Sequence, residues 1–111
     1  MIQMALTKDD ARVLFDEGVL SADSGKHKDA IKNFDKVMEI DLNAEVLFNK
    51  GISLAALERN DEALECYDKV LELEPSDADA LYNKGTILSE LEKNEEAEKC
   101  FERVKEIESS G

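Results

Sequence analysis

Few side chains in this sequence have the type and spacing that catalysis requires. Nucleophilic and acid–base mechanisms need a convergent set such as Ser-His-Asp or Cys-His, and the chain contains one histidine, His27, in a lysine-flanked segment. We expect His27 to be a solvated turn residue. Carboxylate pairs such as Glu62 and Glu65 are abundant, but on charged amphipathic helices they are typical of solvated surfaces. The sequence therefore predicts a protein that is not an enzyme and has no catalytic residues.

Motifs for metals and cofactors are missing from the sequence as well. It contains no Asp-rich calcium loop and no glycine-rich phosphate loop after a strand. The two cysteines, Cys66 and Cys100, have no histidine at metal-ligand spacing. We expect both to be reduced side chains that pack in the core, and we expect neither a metal nor a cofactor.

Composition and charge argue against several further classes of protein and partner. A chain of 111 residues, 42% hydrophobic and 37% charged, suits one soluble domain. The net charge of -13 repels phosphate backbones and anionic lipid, so neither nucleic acid nor a membrane is an expected partner. Uncharged stretches fall far below the roughly 20 apolar residues of a spanning helix. The start of the chain lacks the features of a secretory signal, so a cytoplasmic location is the expectation.

The sequence matches itself when it is shifted by 33 or 34 residues. Glycine recurs at Gly18, Gly51 and Gly85. Three further series have the same spacing: Ala30, Ala63 and Ala97; Phe34, Tyr67 and Phe101; Val37, Val70 and Val104. One period shared by four kinds of position is typical of a helical solenoid, in which each repeat is one supersecondary unit.

With these residues the sequence resembles the tetratricopeptide repeat (TPR) family, whose unit is an antiparallel helix pair with small residues at the crossing. The resemblance covers residues 11 to 111 and includes the leucines at Leu14, Leu47 and Leu81. It implies an all-α fold, a right-handed α-solenoid of three antiparallel helix pairs. Two departures are clear: leucine replaces the usual tryptophan in all three repeats, and the terminal proline remains only as Pro75.

The repeat spacing also predicts the organisation of the chain. We expect a single TPR domain over residues 1–111, with an N-terminal extension and helix start at 1–10 and repeats at 11–43, 44–77 and 78–111. The apolar pattern predicts helices at 8–23, 28–41, 44–58, 61–73, 77–91 and 95–108. Thr7 to Asp10 resembles a capping box, and Asn60 and Asn94 are the predicted N-caps of the fourth and sixth helices.

One face of the last predicted helix differs from its equivalents. The apolar pairs Ile31/Met38 and Leu64/Leu71 are replaced there by Glu98 and Lys105. A polar outer face is what a terminal repeat needs for solubility, so we expect the array to end here. Ordinary divergence within a fragment of a longer array is the alternative interpretation.

The resemblance implies a binding function for a concave groove lined by the first helix of each repeat. We predict a non-catalytic protein–protein interaction module that binds a peptide segment of a partner. The repeat register gives these groove residues: Phe15, Val19, Glu45, Phe48, Asn49, Ile52, Asp79, Tyr82, Asn83 and Thr86. The aromatic members of this set have a second interpretation, in which they only support neighbouring helices.

One activity of the family can be compared residue by residue. Co-chaperone TPR domains bind the C-terminal carboxylates of heat-shock chaperones with Lys, Asn and Arg side chains. The corresponding positions here hold Phe15, Val19, Asn49, Asp79 and Asn83. Only Asn49 matches, and Glu45 and Asp79 would repel an acidic tail. We therefore expect a basic or amphipathic peptide.

A self-associating scaffold is the alternative function. Apolar residues remain near the ends of the array at Leu6, Val13, Leu20 and Ile107. A chain of this kind would form a weak homodimer through exposed repeat ends or grooves, and a strict monomer at high micromolar concentration would exclude it. A third interpretation is that the chain was excised from, or designed after, a larger repeat protein. Composition does not distinguish this interpretation from the other two.

Overall fold

Six α-helices joined by short turns make up the computed structural model, which describes residues 5–110. The helices are α1 Lys8–Asp23, α2 His27–Ile40, α3 Ala44–Ala56, α4 Asn60–Leu73, α5 Ala78–Glu90 and α6 Asn94–Ser110. They form three consecutive pairs, and the pairs stack through α2 on α3 and α4 on α5. The result is an elongated all-α repeat solenoid of 56 × 29 × 20 Å, as predicted. Residues 1–4 of the predicted extension, and Gly111, lie outside the described residues.

Polar side chains cap the first helix of each pair. The Thr7 hydroxyl accepts from the Asp10 backbone N–H at 3.3 Å, and the Asp10 carboxylate accepts from the Thr7 N–H at 2.8 Å. The predicted capping box is therefore confirmed. Asn43 and Asp77 cap α3 and α5, each accepting from the N–H group three residues further on.

The second helix of each pair begins in another way, so the prediction for Asn60 and Asn94 was wrong. Both are the first residues of their helices, and Arg59, which precedes α4, makes no side-chain cap. Glu58 and Glu92 adopt the left-handed conformation with φ of 60° and 63°. The N–H group after each of them donates to a carbonyl five residues earlier. This backbone turn closes the preceding helix and starts the next one without a capping side chain.

A glycine and an aromatic ring meet where the two helices of each pair cross. A Cβ atom added to Gly18 would lie 2.6 Å from the ring of Phe34, and one added to Gly51 would lie 2.9 Å from that of Tyr67. Both distances are shorter than van der Waals contact. Glycine thus allows the helices to approach closely, and the two rings become fully buried between them. Gly85 and Phe101 repeat the arrangement in the third pair.

Ion pairs join successive helix pairs at equivalent places. Lys50 Nζ of α3 lies 2.6 Å from a carboxylate oxygen of Asp35 on α2. Lys84 Nζ of α5 lies 2.7 Å from a carboxylate oxygen of Asp68 on α4. The lysine side chains are partly buried and the aspartates are about half exposed, so solvent and salt screen these pairs less than fully exposed pairs.

His27 does not lie free in a turn, as the sequence had suggested. It is the first residue of α2 and is half-buried, with Nδ1 3.2 Å from the Ser53 hydroxyl oxygen of α3. Ser53 is itself fully buried. Stacking of α3 on α2 creates this contact between residues far apart in the chain, which a local pattern does not reveal.

The cysteines pack as predicted, and charged side chains occupy the outer face of α6. Cys66 and Cys100 are free and buried, and burial raises the pKa of both thiols. They are therefore protonated at neutral pH and are poor nucleophiles. Glu98 and Lys105 are exposed on α6, whereas the equivalent Ile31 of α2 is buried.

Gly51→Ala should destabilise the fold even though alanine is the better helix former. Alanine normally gains about 1 kcal/mol over glycine inside a helix. Here its Cβ would press on the buried ring of Tyr67, and overpacking costs about 1–3 kcal/mol. Urea unfolding measures the change in the free energy of unfolding.

Gly85→Ala is the matched variant for this test. Its contact, Phe101, is only partly buried and can shift outward, so the loss of stability should be smaller than for Gly51→Ala. A gain in stability for Gly51→Ala would contradict the tight crossing of α3 and α4.

Candidate peptide-binding groove

Two neighbouring clefts open between α3 and α5, and together they form the candidate groove. The acidic cleft, of about 330 Å³, is lined by Ala44, Glu45, Phe48, Asn49, Glu74, Asp77 and Asp79. The apolar cleft, of about 340 Å³, is lined by Ile52, Ala55, Ala56, Tyr67, Asn83, Thr86, Ile87 and Glu90. Seven of the ten predicted groove residues line one of them: Glu45, Phe48, Asn49, Ile52, Asp79, Asn83 and Thr86.

Four carboxylates surround the acidic cleft, and its lining contains no lysine or arginine. Asp77 uses one oxygen to accept from the Ala80 N–H at 3.0 Å, as the cap of α5. Arg12 of α1 approaches from the side, with Nη1 3.7 Å from a carboxylate oxygen of Glu45. Both of these side chains are exposed, so the pair is weak and leaves the cleft acidic.

Tyr67 of α4 is part of the lining of the apolar cleft. Its ring is buried, and Asn83 Nδ2 lies 3.5 Å from its Oη as a donor. Burial raises the pKa of Tyr67 to about 12, while the hydrogen bond from Asn83 acts in the opposite direction. The phenol is therefore neutral at physiological pH. Ile52, 40% exposed, supplies apolar surface beside it.

Hydrogen bonds hold the two groove asparagines in place. Asn49 Nδ2 donates to the Glu45 carbonyl at 2.9 Å, one turn earlier in α3. Asn83 is held by its contact with Tyr67. Fixed side chains lose less conformational entropy when a ligand binds, so these contacts reduce the entropic cost of any ligand that meets the two amides.

The predicted aromatic row packs against the second helix of each pair. The ring centroids of Phe15 and Phe34 are 5.7 Å apart, and those of Phe48 and Tyr67 are 5.8 Å apart. Tyr82 packs on the ring of α6 at a similar distance. The rings thus support the helix pairs, which was the second interpretation of this row, and they differ mainly in how much surface remains for a ligand.

Exposure decides which aromatic residues are available. Tyr82 is 57% exposed and Phe48 is partly buried, but Phe15 is buried with only 9% of its surface accessible. The guanidinium of Arg12 covers the Phe15 ring at 5.6 Å from its centroid. Val19 is partly buried and packs on the core between α1 and α2. The structure therefore does not present Phe15 as a surface contact, and Val19 is only partly available.

Sequence reasoning missed Arg12, at the edge of the groove, and eight residues that line its two clefts: Ala44, Ala55, Ala56, Tyr67, Glu74, Asp77, Ile87 and Glu90. Arg12 is equivalent to Glu45 and Asp79 at the repeat spacing, so the sequence could have indicated its place beside the groove. Glu74 and Asp77 come from the end of α4 and the following turn. Their position depends on how the chain passes from one helix pair to the next.

Neither a metal site nor a membrane-spanning helix occurs in the part of the chain that the structure describes. Among residues 5–110, no group of three or more His, Cys, Asp or Glu side chains is arranged to hold a metal ion. No helix in the same range has both the length and the apolar character needed to cross a membrane.

A stacked array of helix pairs with an open groove defines the class of helical-repeat solenoids. Two tetratricopeptide repeat models match the sequence, one over residues 44–77 and the other over residues 66–99. These matches overlap and together extend from the start of α3 into α6. The chain belongs to the tetratricopeptide repeat family.

Solved structures of other TPR proteins have the same fold. The chain is similar to the first TPR of Spaghetti (RPAP3) bound to the HSP90 peptide SRMEEVD, with 27% identity, a TM-score of 0.86, and coverage of 98% of this chain and 87% of that chain. The second TPR of Spaghetti, bound to the same peptide, has 26% identity, a TM-score of 0.84, and coverage of 90% and 94%.

A third similar structure has lower sequence identity. PcrH in complex with the chaperone binding region of PopB has 19% identity, a TM-score of 0.90, and coverage of 98% of this chain and 89% of that chain. At this identity the similarity concerns the fold alone. Among curated proteins, the sequence comparison finds no match.

Tyr67 should make the stability of the protein depend on alkaline pH. Its folded pKa of about 12 lies above the ordinary value of 10, so its contribution is complete below pH 10 and is lost as the pH rises towards 12. Between about pH 9 and pH 11, the free energy of unfolding should fall by about 1 kcal/mol less in Tyr67→Phe than in the unchanged protein.

Urea unfolding at the two pH values measures this difference. Tyr82→Phe removes an exposed phenol and is the matched control for the loss of a hydroxyl group. An equal fall in Tyr67→Phe and in the unchanged protein would contradict a buried, neutral hydroxyl at the floor of the groove.

Proposed function

We propose that the groove binds a basic, amphipathic peptide segment of a protein partner. The observation that carries this proposal is the position of the two clefts, which differ in chemistry and both open between α3 and α5. A peptide with Lys or Arg side chains beside an apolar anchor would match both clefts at once.

The charge of the acidic cleft favours a cationic ligand. Glu45, Glu74, Asp77 and Asp79 bring four carboxylates to one opening. The net charge of -13 adds a long-range attraction that speeds the approach of a basic peptide. An acidic segment would instead be repelled, and desolvating its carboxylates in this cleft would cost free energy.

The apolar cleft supplies the burial that charge alone does not provide. Ile52 is exposed, and an apolar side chain seated beside it would also contact Ala55 and Ile87. Burying one aliphatic side chain contributes roughly 1.5–3 kcal/mol. The Asn83 amide lines the same cleft, held by Tyr67, and can hydrogen-bond the peptide backbone.

Peptide binding as such has support from relatives, while the charge preference rests on this chain. Both TPR domains of Spaghetti bind the HSP90 peptide SRMEEVD. Three of the last four residues of this peptide are acidic. Neither cleft of the present groove has a lysine or arginine in its lining to receive such a tail. We therefore propose the opposite preference.

A matched pair of peptides tests this preference. SRMEEVD and the charge-reversed SRMKKVK share length and apolar residues, and we expect SRMKKVK to bind with a Kd at least roughly tenfold lower. Fluorescence anisotropy measures both peptides. Raising the salt from about 50 to about 200 mM should weaken the binding of SRMKKVK, because salt screens exposed charges. Tighter binding of SRMEEVD would overturn the proposal.

Groove variants determine where the basic peptide binds. Asp79→Asn should weaken binding of SRMKKVK by removing an exposed carboxylate of the acidic cleft, and Ile52→Ser should weaken it by removing the apolar contact. Glu65→Gln, on the exposed surface of α4, is the charge control and should leave the Kd unchanged. Equal effects of Asp79→Asn and Glu65→Gln would mean attraction to the overall charge rather than to this groove.

A further inference from the structure

The outer side of α1 exposes apolar residues at positions that the other first helices bury. Val13 is 57% exposed and Leu20 is 66% exposed. At the repeat spacing, their equivalents on α3 and α5 are Val46, Ser53, Ala80 and Ile87, all of which are buried. The difference arises because α3 and α5 each follow another helix pair, while α1 is the first helix of the described array.

The second helix of the preceding pair covers these equivalent positions. Val46 of α3 lies in one apolar cluster with residues of α2, and Ser53 contacts His27 of α2. Ala80 and Ile87 of α5 lie in one cluster with residues of α4. The equivalent face is covered by an amphipathic helix in both α3 and α5, and the same positions are uncovered in α1.

Charge at the edge of this face sets a requirement for the covering helix. Lys50 and Lys84 are equivalent to each other, and they pair with Asp35 and Asp68 of the covering helices. The equivalent residue of α1 is Glu17, which is exposed. A helix placed on α1 in the same way would need Lys or Arg opposite Glu17 to form the corresponding pair.

The last helix of a second copy does not meet this requirement. If two copies stacked end to end, α6 would bring Glu102, the equivalent of Asp35, towards Glu17. The same face of α6 would place exposed Glu98 and Lys105 over apolar residues of α1. Like charges and desolvated charges would both oppose this contact.

We infer that the outer face of α1 docks an amphipathic helix of a partner protein, with apolar residues seven positions apart and a Lys or Arg facing Glu17. The face consists of Leu6, Val13 and Leu20, and it includes a cleft of about 430 Å³ between α1 and α2. Asp10 and Lys36 also line this cleft. The surface is distinct from the groove and does not depend on the function proposed for it.

A helical probe copied from this protein tests the inference. The probe is a synthetic peptide of residues 26–41, the α2 segment, stapled on its solvent side and carrying Asp35→Lys; the matched probe keeps Asp35. We expect the Lys probe to bind the full chain with a Kd roughly tenfold lower than the Asp probe. In the Glu17→Lys variant the preference should reverse, because the charge that the probe meets has changed sign.

Two more variants locate the bound probe. Leu20→Asp should raise the Kd of the Lys probe roughly tenfold. Leu42→Asp changes an equally exposed leucine in the turn before α3 and should have no effect. Asp79→Asn, in the acidic cleft, should raise the Kd of this probe less than Leu20→Asp does, because any binding of the basic probe to the groove is secondary to docking on α1. All four positions are exposed, so these variants should retain the fold.

Several results would overturn the inference. Failure of both probes to bind would do so, and so would equal Kd values for the two probes. Weaker binding of the Lys probe to Asp79→Asn, with no effect of Glu17→Lys, would place the probe in the groove. Sedimentation of the chain alone gives a further test. A dimer at high micromolar concentration that Leu20→Asp dissociates would assign this face to a second copy instead of a partner helix.

Discussion

The close crossing of two helices at a glycine determines where the groove lies. Because Gly51 has no side chain, the ring of Tyr67 fits directly under α3 and becomes fully buried. Its hydroxyl then reaches the space between α3 and α5, where Asn83 donates to it. A side chain at Gly51 would separate α4 from α3 and move the phenol away from the cleft. The other pairs repeat this crossing, so neighbouring pairs can stack with the same geometry.

Stacking turns these similar pairs into a groove that differs along its length. The ion pairs Lys50–Asp35 and Lys84–Asp68 join each pair to the next, and the first helices then lie side by side. In the first pair, Arg12 and the buried Phe15 close the surface. Between α3 and α5, carboxylates gather at one cleft while aliphatic side chains line the other. We propose recognition of a basic, amphipathic peptide at that part of the array for this reason.

The repeat period predicted the fold well because it reflects packing that recurs in every pair. The six helices, the capping box at Thr7 and the polar outer face of α6 follow from apolar spacing and local chemistry. Contacts between neighbouring helix pairs could not be predicted from the repeat period. Equivalent positions meet different neighbours in the first and the last described helix pair, so Phe15 is buried while Tyr82 is exposed. The contact of His27 with Ser53 and the entry of Glu74 into the acidic cleft likewise depend on stacking.

Mapping the bound peptide on the surface tests the central claim most directly. The ¹⁵N-labelled chain would be titrated with SRMKKVK while the backbone amide resonances are followed by NMR. Binding between α3 and α5 predicts that the largest shifts occur at Asn49, Ile52, Asn83 and Thr86, with little change at exposed residues of α2 and α6. Shifts concentrated on α2, α4 and α6, or on the outer face of α1, would contradict the assignment of this groove as the peptide-binding surface.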